Sequence, residues 1–332
     1  MLINTKMMKF RKIFPHLSKS VPNIRAFRFS EKLEPQALKD YITRKDHMIA
    51  GFFKDGSARF VMSDISQTLK DAESKFNISN KEKLEQLGIA YNTALIMNSF
   101  LNGEERIKLI SQYFKMISDE ESQMTTIYSE SIGTGEVRGF IEEGNFPNSE
   151  LDKEKSSFLK ISKILYNRST EVYGIIKLTN SNQLTEDDVY KYFEESEQIR
   201  THVFFHHELN EKNFISQGFI LQKMPDCDLV ELEKRFFHII NNRNFRDINK
   251  NGLLISSFMN VFNDLGLEVE GIRRTPIQFF CRCSKSQFMN VLINLGKPEI
   301  EDMKRRDQTT ITCKNCNTNY HLSNEDFEHL LK

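Results

Sequence analysis

Up to about Pro225, apolar positions along the chain switch between the period of a strand and the period of a helix; beyond it the helical period dominates. The stretch "SARFVMSDIS", 57–66, directly follows Asp55-Gly56, a dipeptide suited to a hairpin turn, and carries a β-branched and aromatic run. Helical spacing takes over at roughly 64–76 and 82–101, and strand patterns return at 136–142 ("EVRGFIE"), 157–165 ("SFLKISKIL") and 171–178 ("EVYGIIKL"). The last two are placed to pair antiparallel. This mixture predicts an α+β unit of mixed sheet and helix over 21–225. The long uncharged run Gln86–Gly103 is interrupted by Asn92, Thr93, Asn98, Ser99 and Asn102, each costly in lipid, so it reads as a buried amphipathic helix and no membrane partner is expected.

From Asp228 the pattern is helical. Leu229, Leu232, Phe236, Ile239 and Ile240 form one apolar stripe, with Glu231 four residues before Arg235. After the charged "NNRNFRDINKNG", Leu254, Phe258, Val261, Phe262 and Leu265 form a second, closed by Gly266 as a C-cap. The segment 226–275 is therefore expected to be a helical linker. Its stripes suit either permanent core or a lid that hides apolar surface conditionally, and the pattern alone leaves both open.

The last segment, 276–332, reads as a small separate unit. Ser284 and Gln287 form a capping box for a helix with apolar face Phe288, Val291, Leu292 and Leu295, ended by Gly296. Pro298 opens a second helix with acidic residues in its first turn and Lys304, Arg305 and Arg306 in its last. "TTIT" and "NYHL" read as strands around "CKNC", and Ser323 caps a final helix with Phe327, Leu330 and Leu331. So small a core calls for a staple.

Composition changes this picture little. The chain has 332 residues, enough for about two domains, and its 46 basic and 46 acidic residues cancel, so no global field recruits nucleic acid or acidic membranes. The 27 Phe can build cores, and the absence of Trp carries no functional reading. The N-terminus differs. Seven basic residues, Lys6 to Arg28, precede the first acidic one, Glu31, and Met7, Phe10, Phe14 and Leu17 share a helical face opposite Lys9, Lys12, His16 and Lys19. A transit peptide over 1–20, leading to the mitochondrial matrix or another organelle, is expected. The alternative is a basic tail on a cytoplasmic protein, which Pro15 favours. No secretory apolar core is present, so extracellular disulfides are not expected.

The candidate chemistry lies in two cysteine pairs. "FFCRCSKSQ", 279–287, gives Cys281 and Cys283; after a 29-residue spacer, "TCKNCNTNYH" gives Cys313 and Cys316. A CxxC turn between strands aims two sulfurs at one point, and a CxC in extended chain points two side chains the same way. Together they supply the four thiolates of a closed tetrahedral zinc site, one Zn2+ per chain. Arg282, Lys285 and Lys314 flank the sulfurs and are expected to offset the negative charge of four thiolates on a dication. Zinc contributes roughly 10 to 16 kcal/mol to the folding of such sites. Thiolates are also the oxidisable form of cysteine, so an oxidant that makes disulfides destroys the ligands.

This arrangement resembles the redox-regulated 33-kDa heat-shock chaperone family. "NIRAFRFS" at 23–30, "GEVRGFIE" at 135–142, "YFEESEQIRT" at 192–201, "SQGFILQKMP" at 216–225 and "FFCRCSKSQFMNVLINLGKPEIEDM" at 279–303 resemble its landmarks in order. The zinc unit and Ser196-Glu197-Gln198 are the most specific of them. The resemblance implies an ATP-independent holdase, not an enzyme, compact and inactive when reduced and zinc-bound. It implies that Cys281 pairs with Cys283 and Cys313 with Cys316 on oxidation, that the zinc unit and linker then unfold, and that exposed apolar surface binds unfolded clients. It further implies a homodimer when oxidised and transfer of clients to ATP-dependent foldase chaperones. The stretch "SDEESQMTT", 118–126, lacks the Gly and Pro of the family pattern, and the basic N-terminal extension suggests an organellar eukaryotic version.

Other signals weigh less. "GTGEVRG", 133–139, does not match dinucleotide-loop spacing and reads as a turn into a strand. His202, His206 and His207 do not complete HExxH, and Glu194, Glu195 and Glu197 have no accompanying base or nucleophile. Cys227 reads as a lone thiol, and the sequons at Asn77 and Asn167 matter only in the secretory route. Two competing functions remain. A zinc-ribbon nucleic-acid-binding protein needs a basic stripe with exposed aromatics, for which "KRRD" at 304–307 is short. A thiol oxidoreductase needs its CxxC at a helix N-terminus, whereas this one lies between strands.

Overall fold

The computed structural model describes residues 46–147, 157–180, 182–211, 214–225, 234, 262–263 and 266–331. The expected transit peptide, "NIRAFRFS", Cys227, the stripe at 229–240 and most of the stripe at 254–265 lie outside the described residues.

The core is two sheets, antiparallel except for one edge pair, with a helix between them. β1 (His47–Phe53) and β2 (Ala58–Asp64) form the hairpin expected around Asp55-Gly56, with Gly56 at φ 75°. α1 (Ser66–Phe76) and α2 (Lys81–Asn98) follow. Then come β3 (Arg106–Met116), β4 (Glu121–Ile132), β5 (Glu136–Pro147), β6 (Phe158–Ile164) and β7 (Val172–Lys177). α3 (Glu186–Tyr192) runs into a π-helical turn, Phe193–Glu197, before β8 (Thr201–Leu209) and β9 (Phe214–Lys223). β10 (Val269–Pro276) and β11 (Gln278–Phe279) lead into the C-terminal unit. One sheet has the order β10-β1-β2-β9-β8, the other β11-β5-β4-β3-β6-β7. β6 and β7 pair antiparallel, as their patterns suggest.

α2 packs on both sheets and is buried over nearly its whole circumference from Leu84 to Asn98, so it is not amphipathic as expected. Its polar side chains are tolerated because they make hydrogen bonds, although Asn98 Oδ1 is left without one. Asn92 Oδ1 accepts from Ser63 Oγ at 2.7 Å, Asn98 Nδ2 donates to the Ser131 carbonyl at 2.9 Å, and Tyr91 Oη donates to the Gly139 carbonyl at 2.9 Å. Among the described residues no helix is long and apolar enough to cross a membrane.

Strand alternation gives the five-stranded sheet two apolar faces. Met48, Val61 and Ile220 face the α2 core, while Ile49, Phe60, Met62, Phe219 and Leu221 face the other way. Phe262 and Leu267 pack on that second face. Phe262 and Asn263 are helical and Gly266 stands at φ 68°. Gly266 N donates to the Asn263 carbonyl at 2.9 Å and Leu267 N to the Phe262 carbonyl at 2.8 Å, the paired bonds of a glycine-terminated helix end.

Helix does not extend to 275 as expected for the linker. Val269–Pro276 is strand β10, antiparallel to β1 with a register shift opposite Ala50–Phe52. As an edge strand with mostly exposed side chains it has little apolar alternation to reveal it.

The C-terminal unit follows its sequence closely: α4 (Lys285–Ile293), α5 (Lys297–Arg305), β12 (Thr310–Thr312), β13 (Asn319–His321) and α6 (Asn324–Leu331). Its buried core is Met289, Leu292, Ile300, Leu322, Phe327 and Leu330. The expected apolar face of α4 is corrected here. Val291 and Leu295 are 62% and 50% exposed, because Met289 and Leu292 take the buried face and Phe288 packs on Tyr320 with ring centroids 5.4 Å apart and the planes tilted.

Candidate metal centre

Two local structures deliver the sulfurs. β11 adds parallel to the start of β5, and Phe280 N donates to the Val137 carbonyl at 3.1 Å, which carries Cys281 and Cys283 along the β5 edge. Ser284 then ends the extended run through the expected capping box: its Oγ accepts from Gln287 N at 3.3 Å and Gln287 Oε1 accepts from Ser284 N at 3.1 Å. The other pair sits in the β12–β13 turn. Cys313 N donates to the Thr318 carbonyl at 2.8 Å, and Asn317 N donates to the Cys313 carbonyl at 2.7 Å with Asn317 at φ 57°.

These elements bring Cys281, Cys283, Cys313 and Cys316 together, with all four sulfurs within 4.8 Å of one another and all four cysteines free. Cys281 Sγ is 3.8 Å from Cys313 Sγ, and Cys283 Sγ is 3.4 Å from Cys316 Sγ. A tetrahedral site with metal–sulfur bonds of about 2.3 Å has sulfur–sulfur edges of about 3.8 Å, so the cluster fits a closed four-thiolate metal site.

The surroundings tune the sulfurs unequally. Burial pushes the Cys313 thiol well up and raises Cys281, in the latter against the Arg138 guanidinium, which favours the thiolate. Burial also acts on Cys316, but the Thr318 hydroxyl, 3.2 Å from its sulfur, and the Thr318 amide reverse it and bring that thiol down to about 7. Tyr320 Oη lies 3.1 Å from Cys283 Sγ and donates to the Cys283 carbonyl at 3.0 Å. A dication deprotonates all four thiols on binding.

The flanking cations are not where sequence placed them. Arg282 is forked onto Glu136 at 2.7 and 2.9 Å and reaches Glu104 at 3.0 Å; Lys285 pairs with Asp326 and Lys314 with Glu142, each at 2.5 Å. Carboxylates, rather than sulfurs, take these charges. Among the described residues, the cation that touches a sulfur is Arg138, whose Nη1 donates to Cys281 Sγ at 3.3 Å. It stands in β5 within the "GEVRGFIE" landmark, far from the cysteines in sequence, and that landmark was its one advance signal.

Residues set aside on sequence have local roles. Glu197 pairs with Lys163 at 2.5 Å and lies 3.4 Å from Tyr192 Oη. His207 is half-buried on β8 with Nδ1 3.1 Å from Ser216 Oγ. "GTGEVRG" is a turn into β5, with Gly135 at φ 87°. In "SDEESQMTT", Ser118 Oγ accepts from Glu121 N at 3.1 Å, forming a turn without Gly or Pro, and the rest is β4.

A "33 kDa chaperonin" of Geobacillus sp. is 25% identical over 298 residues, covering 86% of this chain and 97% of the relative. One of Syntrophotalea carbinolica is 26% identical over 302 residues, covering 86% and 99%. The crystal structure of a 33 kDa chaperonin (heat shock protein 33 homolog) from Thermotoga maritima superposes with a TM-score of 0.70 at 22% identity, over 86% of this chain and 98% of that one, and shares the fold. The family profile described as Hsp33 protein matches residues 46–323, and the chain belongs to the Hsp33 family.

Proposed function

We propose that the protein is an ATP-independent holdase held inactive by zinc on Cys281, Cys283, Cys313 and Cys316 and switched on by oxidation. The observation that carries this reading is the continuity between cover and metal centre. Phe262 and Leu267 close the outer apolar face of the five-stranded sheet, and the same chain runs through β10 and β11 directly into Cys281.

Zinc, when bound, supplies four bonds that tie the C-terminal unit together; the residues do the rest. Oxidation by hydrogen peroxide takes two electrons from each thiolate pair adjacent in sequence and forms one disulfide; each pair consumes one peroxide, whose O–O bond breaks and, with two protons from solvent, gives two waters. Two disulfides, Cys281–Cys283 and Cys313–Cys316, leave no thiolate donor for the ion. A tight CxC ring is strained and therefore readily reduced again, as a regulatory bond needs. With its staple gone the small unit loses order, β11 leaves β5, and the cover over Ile49, Phe60, Met62 and Phe219 is no longer held at its C-terminal end.

In this reading the partners are unfolded or aggregating proteins, a second copy of the chain in the oxidised state, and ATP-dependent foldases that receive the clients after reduction. The basic, amphipathic N-terminal stretch supports a mitochondrial or other organellar destination, testable by import of a fluorescent fusion. The activity is tested by light scattering of a chemically unfolded client with the reduced zinc form and the peroxide-treated form, with peptide mapping of the latter. Protection by the oxidised form alone, with the two neighbour disulfides, is expected. Equal protection in both states refutes the switch.

A further inference from the structure

The metal centre has a cation supplied from outside its own unit. Arg138 and Glu130 are cross-strand partners on β5 and β4. Arg138 Nε donates to Glu130 Oε2 at 2.7 Å and Nη2 donates to the same oxygen, while Arg106 Nη1 reaches Oε1 at 3.3 Å. Glu130 is only 3% exposed, so the carboxylate is shielded from solvent, and its bonds to Nε and Nη2 fix the guanidinium plane. One edge of the guanidinium is left over, and Nη1 on that edge meets Cys281 Sγ.

We propose that Arg138 is a positioning residue of the metal centre: held by Glu130, it orients the Cys281 thiolate and offsets the site's charge, so that metal occupancy and docking of the C-terminal unit on β5 are coupled. Four thiolates around a dication carry a net double negative charge, and Arg282, Lys285 and Lys314 spend their charge on carboxylates. An N–H donor to a ligand atom from a rigid strand is the usual means of fixing ligand orientation, and loss of such a partner costs 10- to 100-fold in metal affinity. The coupling runs both ways. When Cys281 ceases to be a thiolate, Arg138 loses its acceptor and β5 loses a charge-assisted tie to the C-terminal unit.

The inference rests on the reading that the four cysteines hold a metal. The test uses full-length reduced protein loaded with Co2+, read by its thiolate-to-cobalt charge-transfer absorption, and with Zn2+, read by competition with a chromogenic chelator. Arg138→Gln removes the donor; Arg138→Lys keeps a cation against Glu130 and serves as the test if the first variant does not fold. Loss of the donor raises the energy of the sulfur lone pairs, so the band is expected to move to longer wavelength in Arg138→Gln, with a 10- to 100-fold drop in zinc affinity. Arg138→Lys is expected to recover part of the affinity and not the band. Arg282→Gln, which breaks neighbouring ion pairs without touching a sulfur, is expected to leave the band in place. A wild-type band that both Arg138 variants leave unmoved, or that Arg282→Gln moves as far, overturns this inference alone. A wild type that takes up neither metal overturns the metal reading and this inference with it.

Discussion

The ring of Phe262 lies 4.9 Å from that of Phe60, centroid to centroid, and joins a chain segment that leads to the four-cysteine cluster to the apolar outer face of a core sheet. Phe53 completes the contact, edge-on at 5.1 Å. Phe262 is fully buried, and truncation of a buried Phe to Ala costs about 3–5 kcal/mol. Because that cost falls on the cover rather than on the α2 core, Phe262→Ala is expected to raise binding of an apolar dye by the reduced protein and to give partial client protection without oxidant. A reduced variant as inactive as the wild type contradicts a role for this contact in the off state.

Six buried apolar residues are a thin core for the C-terminal unit. A structural zinc site contributes roughly 10 to 16 kcal/mol, far more than such a core. Chelation of the reduced protein is expected to abolish amide hydrogen-exchange protection in Thr310–Leu331 while α2 keeps its own. Protection retained in both regions means the unit folds without metal.

Gly139 lies where β5 presses on β4. A Cβ there would stand 2.0 Å from the Tyr128 carbonyl oxygen, a backbone atom that cannot swing aside. Gly139→Ala is expected to destabilise the core by about 3 kcal/mol or more, read as a drop in the urea midpoint. A near-neutral effect means the two strands are free to separate.

Glu186 titrates out of its ordinary range. Burial raises its carboxyl from 4.5 to about 7, although its Oε2 accepts from Phe205 N at 2.7 Å. A carboxyl with a raised folded-state pKa contributes stability that is complete below 4.5 and is lost as pH rises through about 7. Glu186→Gln keeps the acceptor and removes the titration, so its melting temperature relative to wild type is expected to be higher at pH 8 than at pH 5. His207 has the opposite sign: burial lowers it from 6.5 to about 3, so its contribution is complete above 6.5 and is lost as pH falls toward 3. A Glu186→Gln offset that does not change with pH contradicts the assignment.

What was legible in the sequence follows from how local each signal is. The capping box at Ser284, Pro298 at a helix start, the CxxC turn and the β6–β7 pair rest on residues a few positions apart, and each is in place. The four sulfurs were legible as a set because two closely spaced pairs can supply the four donors of tetrahedral ligation. The face of α4 was not, since Val291 and Met289 are equally apolar and only the approach of α5 and α6 decides which is covered. Strand β10 was hidden because edge strands need no apolar alternation. The Arg138–Cys281 contact spans 143 positions, and no periodicity registers such a pairing.

In the proposed switch, metal release and client binding are one event. Reduced, zinc-loaded protein is titrated with peroxide in the presence of a chromogenic chelator, and light scattering of an unfolding client is followed in the same samples. The expected result is about one zinc released per chain, the stoichiometry of a closed four-thiolate site, over the same oxidant range in which scattering is suppressed. Zinc retained while protection rises, or zinc released with no protection, contradicts the claim.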